Sequence, residues 1–197
     1  MHALIDHARS FASREGAELS HLEAGQSPDT LFLSCSDSRV VPALITGARP
    51  GELFELRTAG GVVPRYSAVH ATGEAATIEY AVEVLGVSDI VICGHSGCGA
   101  VTALVTGADL GAVPAVRGWL EREPTVSSAP RGSGATVPDI ARAVQEHILI
   151  QLGTLRTYPC VSARLADGRL RLHAWFYEVH TGRVSTHRAG VEEFLPL

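Results

Sequence analysis

Two short stretches hold the residue types that metal chemistry needs. One runs Ser34-Cys35-Ser36-Asp37-Ser38-Arg39-Val40, and the other Cys93-Gly94-His95-Ser96-Gly97-Cys98-Gly99. Buried structural cysteines normally sit in apolar runs, whereas Cys35 and Cys98 stand among serines and glycines. Two thiolates and one imidazole (Cys35, Cys98 and His95) form a donor set that suits Zn2+ in softness, and tetrahedral geometry leaves a fourth position. A purely structural site would close that position with a further Cys or His. The nearest other cysteine, Cys93, ends the apolar run Ile90-Val91-Ile92-Cys93 and reads as core, as does Cys160 beside Pro159. An open fourth position is the mark of a catalytic zinc.

Asp37 lies two residues after Cys35, and Arg39 two after that. An arginine so placed can grip the carboxylate with two parallel hydrogen bonds. The pair would keep Asp37 ionised and aimed at the open position. Asp37 could also swing in as the fourth ligand and shut the site.

Strands and helices must bring these motifs together across 95 − 35 = 60 positions. Residues 30–36 and 89–95 are near-continuous apolar runs, expected of strands buried on both faces of a parallel sheet. Residues 52–58 and 170–180 alternate better, and His180-Thr181-Gly182-Arg183 predicts a hairpin turn to a strand over 184–188. Helices are predicted over 2–14, over 70–86, from about Gly97 or Cys98 onward, and over 138–158. In the second, Ala75, Ile78, Val82 and Leu85 form one stripe and Gly86 supplies the stop. Alternating strands and helices predict an α/β domain with a mainly parallel central sheet flanked by helices, with antiparallel edge strands at the C-terminal end. In such sheets ligands collect at the carboxyl ends of the strands, where Cys35 and His95 fall. Cys98 falls at the start of the predicted third helix, whose N-terminal end favours a thiolate.

One domain over 1–197 is expected, with a surface loop over 121–138, a segment rich in Ser, Gly and Pro. The net charge of −5 offers no footprint for nucleic acid or an acidic membrane surface. No apolar run reaches the ~18–20 residues that span a bilayer, and the first residues carry too much charge for a secretory signal. A cytoplasmic, reducing location with free thiols is expected.

The motifs Cys35-Ser36-Asp37-Ser38-Arg39-Val40, Arg57-Thr58-Ala59-Gly60-Gly61 and Gly94-His95-Ser96-Gly97-Cys98-Gly99-Ala100-Val101, with Glu79-Tyr80-Ala81-Val82 between them, resemble a β-class carbonic anhydrase. The resemblance runs from the first strand to residues 174–184. It implies zinc on Cys35, His95 and Cys98, with Asp37 as an alternative fourth ligand and Asp37 with Arg39 as catalytic dyad. The implied activity is that of a carbonate dehydratase, a zinc lyase that reversibly hydrates CO2 to bicarbonate and a proton through zinc-bound hydroxide. Two thiolates donate more charge than imidazoles do, which predicts greater activity on the alkaline side. The resemblance further implies a homodimer or homotetramer in which an N-terminal helical arm, residues 1–24, wraps the partner. A candidate effector site for bicarbonate comprises Phe32, Arg57 and Tyr177; some relatives carry tryptophan where Phe32 stands, and Phe32 lacks its N–H donor. Gly61 also departs from the asparagine many members carry. The resemblance leaves open a carbonyl sulfide or carbon disulfide hydrolase with the same ligands. The Asp37–Arg39 pair argues against a non-catalytic zinc module, and a cysteine-nucleophile enzyme fits poorly because no phosphate-cradling glycine loop follows Cys35 and His95 and Cys98 would go unexplained.

Overall fold

The computed structural model describes residues 1–121 and 134–197. Most of the predicted loop over 121–138 therefore lies outside the described residues; its last two positions already belong to a helix that begins at Val137.

The chain opens with helix α1 (His2–Leu19), five residues longer than the pattern suggests, and a 3-10 turn over Ser20–Ala24. There follow β1 (Thr30–Cys35), α2 (Pro42–Thr46) and β2 (Leu53–Thr58). Next come α3 (Gly73–Glu79), which continues as a π-helical stretch Tyr80–Leu85, and β3 (Asp89–His95). Helices α4 (Gly99–Thr106), α5 (Pro114–Leu120), α6 (Val137–Arg156) and α7 (Pro159–Ala166) precede β4 (Arg171–Tyr177). The chain ends with β5 (Val184–Arg188) and β6 (Glu193–Pro196). No helix among the described residues is long and apolar enough to cross a membrane.

The six strands form one sheet in the order β2-β1-β3-β4-β5-β6. The first four are mutually parallel, and β5 and β6 add the antiparallel edge. β1 and β3 are neighbours, with Thr30 beside Asp89 and Ser34 beside Cys93. Their carboxyl ends, carrying Cys35 and His95, therefore finish side by side. Alternation along β1 sends Leu31, Leu33 and Cys35 into the main core and Phe32 to the opposite face.

Helix α6 is the principal cover of the main core. Its start is fixed by a capping box: the Asp139 amide donates to Thr136 Oγ1 at 3.4 Å, and the Thr136 amide donates to Asp139 Oδ2 at 3.0 Å. Ile140, Ala143, Val144, His147, Ile148, Gln151 and Leu155 recur at helical spacing and are buried. Each large aliphatic side chain so buried contributes roughly 1.5–3 kcal/mol. The helix can lie this close because β3 has glycine beneath it. A β-carbon on Gly94 would meet Ile148 Cδ1 at 2.7 Å and Val144 Cγ1 at 2.8 Å.

The amino end of β3 is tied to β4 by charge. Asp89 accepts from Arg171 Nε at 2.8 Å, Arg171 Nη2 at 2.6 Å and His173 Nε2 at 2.8 Å. The Arg171 guanidinium above all, then His173 and Ser88, holds the Asp89 carboxyl well below the usual carboxylate range despite partial burial. A depressed folded-state value gives stability that is present above the unfolded carboxylate pKa and lost as pH falls. Asp89→Asn is expected to cost about 1–2 kcal/mol at neutral pH, with the gap narrowing on acidification below pH ~4. Urea unfolding of both proteins at pH 7 and pH 3 checks this; a gap independent of pH contradicts it.

Candidate metal centre

Cys35 is the last residue of β1 and His95 the last of β3, while Cys98 caps the start of α4. Their ligating atoms, two Sγ and one imidazole nitrogen, all lie within 4.8 Å of one another. All three residues are buried, His95 completely. The turn from β3 to Cys98 needs a left-handed residue, which Gly97 supplies at φ 63°.

The imidazole is oriented by its own neighbour. His95 Nδ1 lies 3.1 Å from the Ser96 carbonyl, which can only accept, so Nδ1 carries the proton. In the neutral ring Nε2 is the acceptor, and it is buried without a hydrogen-bond partner. A buried orphan of this kind costs about 1–3 kcal/mol, and a cation beside the two sulfurs would satisfy it. Ser96 is a site residue that sequence reasoning passes over. Its amide donates to the Tyr177 carbonyl at 2.9 Å and its hydroxyl accepts from the Val179 amide at 3.0 Å, which fixes the turn bearing His95 to β4. The signal lies within the His95–Cys98 motif itself.

The two sulfurs shift each other in opposite directions. Cys98 donates its S–H to Cys35, which together with the Asp37 and Gly60 amides pulls Cys35 well below an ordinary thiol. Cys98 is correspondingly pushed up by that bond and by burial, although the amides of Ala100 and Val101 at the start of α4 point at its sulfur. Two sulfurs beside an unpartnered imidazole nitrogen fit a divalent cation, which would bind them as thiolates. Cys93 is different: it is buried in the sheet and pushed up to about 12 by desolvation. Cys160 is buried as well, and all four cysteines are free.

Asp37 sits at the edge of this group, Oδ2 lying 3.8 Å from His95 Nε2. Arg39 donates from Nε to Oδ1 at 2.9 Å and from Nη2 to Oδ2 at 2.7 Å. The Arg39 amide adds a third bond to Oδ1 at 2.9 Å. The Arg39 guanidinium keeps the Asp37 carboxyl far below its usual range. Nη2 also donates to the Gly97 carbonyl at 3.1 Å, so one arginine binds both motifs together.

Arg57, at the end of β2, donates to the carbonyls of Cys35, at 3.2 Å, and Asp37, at 2.8 Å. It braces the turn that carries the aspartate. Phe32 is fully buried on the other face of the sheet, edge-on to Trp175 at 5.9 Å, and Tyr177 packs in the same cluster.

Comparison with known proteins decides the family. Residues 30–184 match the profile described as Carbonic anhydrase. The solved β-carbonic anhydrase CcaA superposes with a TM-score of 0.85 at 33% identity, over 100% of this chain and 97% of that one. This chain belongs to the β-class carbonic anhydrase family. A carbonic anhydrase of Pseudomonas aeruginosa is 44% identical over 179 residues, 89% of this β-class chain and 80% of that protein. Carbonic anhydrase 1 of Escherichia coli O157:H7 is 42% identical over 95% of this chain and 86% of its own length. A tetrameric β-carbonic anhydrase of Sordaria macrospora superposes with a TM-score of 0.81 at 26% identity, over 95% of this chain and 96% of that one.

Proposed function

We propose that this β-class enzyme holds one zinc ion on Cys35, His95 and Cys98 and interconverts carbon dioxide and bicarbonate. The observation that carries the reading is the buried pair of sulfurs beside an unpartnered imidazole nitrogen. When bound, zinc supplies the Lewis acidity that makes water a nucleophile near neutral pH. Asp37 and Arg39 form the dyad: the ionised carboxylate accepts a hydrogen bond from the attacking oxygen and orients it, and Arg39 keeps that carboxylate charged and in place. Released from Arg39, Asp37 would be free to occupy the remaining coordination position, a self-inhibited form of the same site. Stopped-flow measurement of CO2 hydration by the zinc-loaded protein tests the reading, with the chelator-stripped protein as control. Turnover that depends on zinc is expected; a zinc-loaded protein without turnover contradicts it.

The residues also support self-association. No described residue of α1 is buried, and Leu4, Ile5 and Phe11 expose apolar surface. An 18-residue helix with an open apolar stripe is marginal in water alone. We read the chain over 1–197 as one domain whose first 24 residues form an arm that covers a second copy, in a dimer or a tetramer. Analytical ultracentrifugation is expected to show a dimer or larger, and dissociation on Phe11→Asp; a monomeric wild type contradicts this. The four free thiols suit a reducing compartment, and we place the enzyme in the cytoplasm.

A further inference from the structure

The turn after β2, Ala59–Gly61, runs directly under Cys35, with the Cys35 amide nitrogen only 3.5 Å from where a β-carbon on Gly61 would stand. Two side chains from distant helices grip it. Trp119, on α5, donates its indole N–H to the Ala59 carbonyl at 2.9 Å. His147, on α6, meets the Gly60 carbonyl at 3.0 Å through Nε2, which must therefore carry the proton. Gly60 itself is left-handed, at φ 77°, and a β-carbon there would lie 2.9 Å from that of Ala100 on α4. The turn is thus wedged between the helix that Cys98 caps and the strand that ends in Cys35.

The Ala59 carbonyl and the Gly60 N–H belong to one peptide unit, and that N–H points at the Cys35 sulfur. The result is a chain of hydrogen bonds from the Trp119 indole, through a single peptide group, to the Cys35 sulfur. A donor on the carbonyl polarises the peptide and makes its N–H a stronger donor, by about 10–30% per link. We propose that Trp119 and His147 are positioning residues for the sulfur donor Cys35: they hold the Ala59–Gly61 turn so that the Gly60 amide draws charge from the thiolate. Neither touches the reacting atoms. His147 is buried and kept neutral by desolvation, which suits a fixed N–H donor rather than a proton carrier. Hydrogen bonds to a ligating sulfur are a recognised lever on the metal.

The inference rests on the zinc reading given above, and the test separates the two. Cobalt(II) is loaded in place of zinc, and the sulfur-to-cobalt charge-transfer absorption is recorded for wild type and Trp119→Phe. Phenylalanine keeps an aromatic ring at this half-buried position and removes the donor. A sulfur relieved of its hydrogen bond is richer in electrons, so the band is expected to move to longer wavelength. In chelator competition the variant, whose turn has lost one of its two side-chain anchors, is expected to hold zinc about tenfold less tightly, the lower end of outer-partner effects. His147→Leu is expected to lose roughly 10–100-fold, and His147→Gln, which keeps an N–H at that carbonyl, to regain most of it. A Trp119→Phe band and affinity equal to wild type overturn the inference. So does a His147→Gln protein as weak as His147→Leu. A wild type with no thiolate band overturns the zinc reading and this inference with it.

Discussion

Replacing His95 with alanine is expected to remove bound zinc and CO2 hydration together. The side chain is completely buried, with Nδ1 committed to the Ser96 carbonyl and Nε2 facing two sulfurs without a partner. An unmet buried acceptor costs about 1–3 kcal/mol, and this one, unlike the unpartnered Nδ1 of His147, lies within 4.8 Å of two sulfurs. Loss of an outer partner typically weakens metal binding ~10–100-fold, and loss of a direct donor should exceed that. Two sulfurs alone would leave the ion without the imidazole, its third protein donor. The expected outcome is zinc content near zero after dialysis against a chelator and hydration at the level of the stripped wild type. His95→Ala protein that retains zinc and turns over normally would place the metal elsewhere.

Asp37→Asn should separate chemistry from metal binding. The substitution keeps the shape, and the new carboxamide would still sit beside Arg39, but it removes the charge that three Arg39 hydrogen bonds hold in place. Groups that accept or direct a proton in the transition state contribute about 10²–10⁴-fold. The expected result is kcat/KM lower by roughly 10²-fold, about 2.7 kcal/mol, with zinc still at one per chain. Asp37 lies outside the tight group of three ligating atoms, so metal content should not follow activity down. Unchanged turnover would reduce the Asp37–Arg39 pair to a structural salt bridge. Parallel loss of zinc would instead make Asp37 a permanent ligand.

Much of this arrangement is legible in the sequence. The buried runs of β1 and β3 and the Gly-rich turns after them put Cys35 and His95 at strand ends, and the two meet on condition that the strands are neighbours. The pairing of β1 with β3 meets that condition. Short elements escape the sequence for physical reasons. Helices α2, α5 and α7 span only five to eight residues, too few to display a hydrophobic period. Each nevertheless opens on a proline, Pro42, Pro114 or Pro159, a helix-start signal present in the sequence. β6 is four residues long and is defined only by pairing with β5, which no local pattern encodes. Of the stripe Ala75, Ile78, Val82 and Leu85, the first three are buried and Leu85 is half-buried, and a π-helical turn adds Ala81 to the buried face.

The site follows the same division. Arg39 reaching Asp37 depends on two-residue spacing and can be read directly. Arg39 reaching Gly97, 58 residues away, cannot. Nor can the Trp119 and His147 contacts to the turn after β2, 60 and 87 residues distant. Long-range hydrogen bonds to backbone carbonyls leave no residue-type signature at the carbonyl end, so only the folded chain reveals them.

X-ray absorption at the zinc edge, on purified protein of known metal content and activity, addresses the central claim most directly. One zinc per chain is expected, bound by two sulfurs at ~2.3 Å and an imidazole nitrogen at ~2.0–2.1 Å. A shell of nitrogen and oxygen alone, or full activity at a small fraction of one zinc per chain, would contradict it.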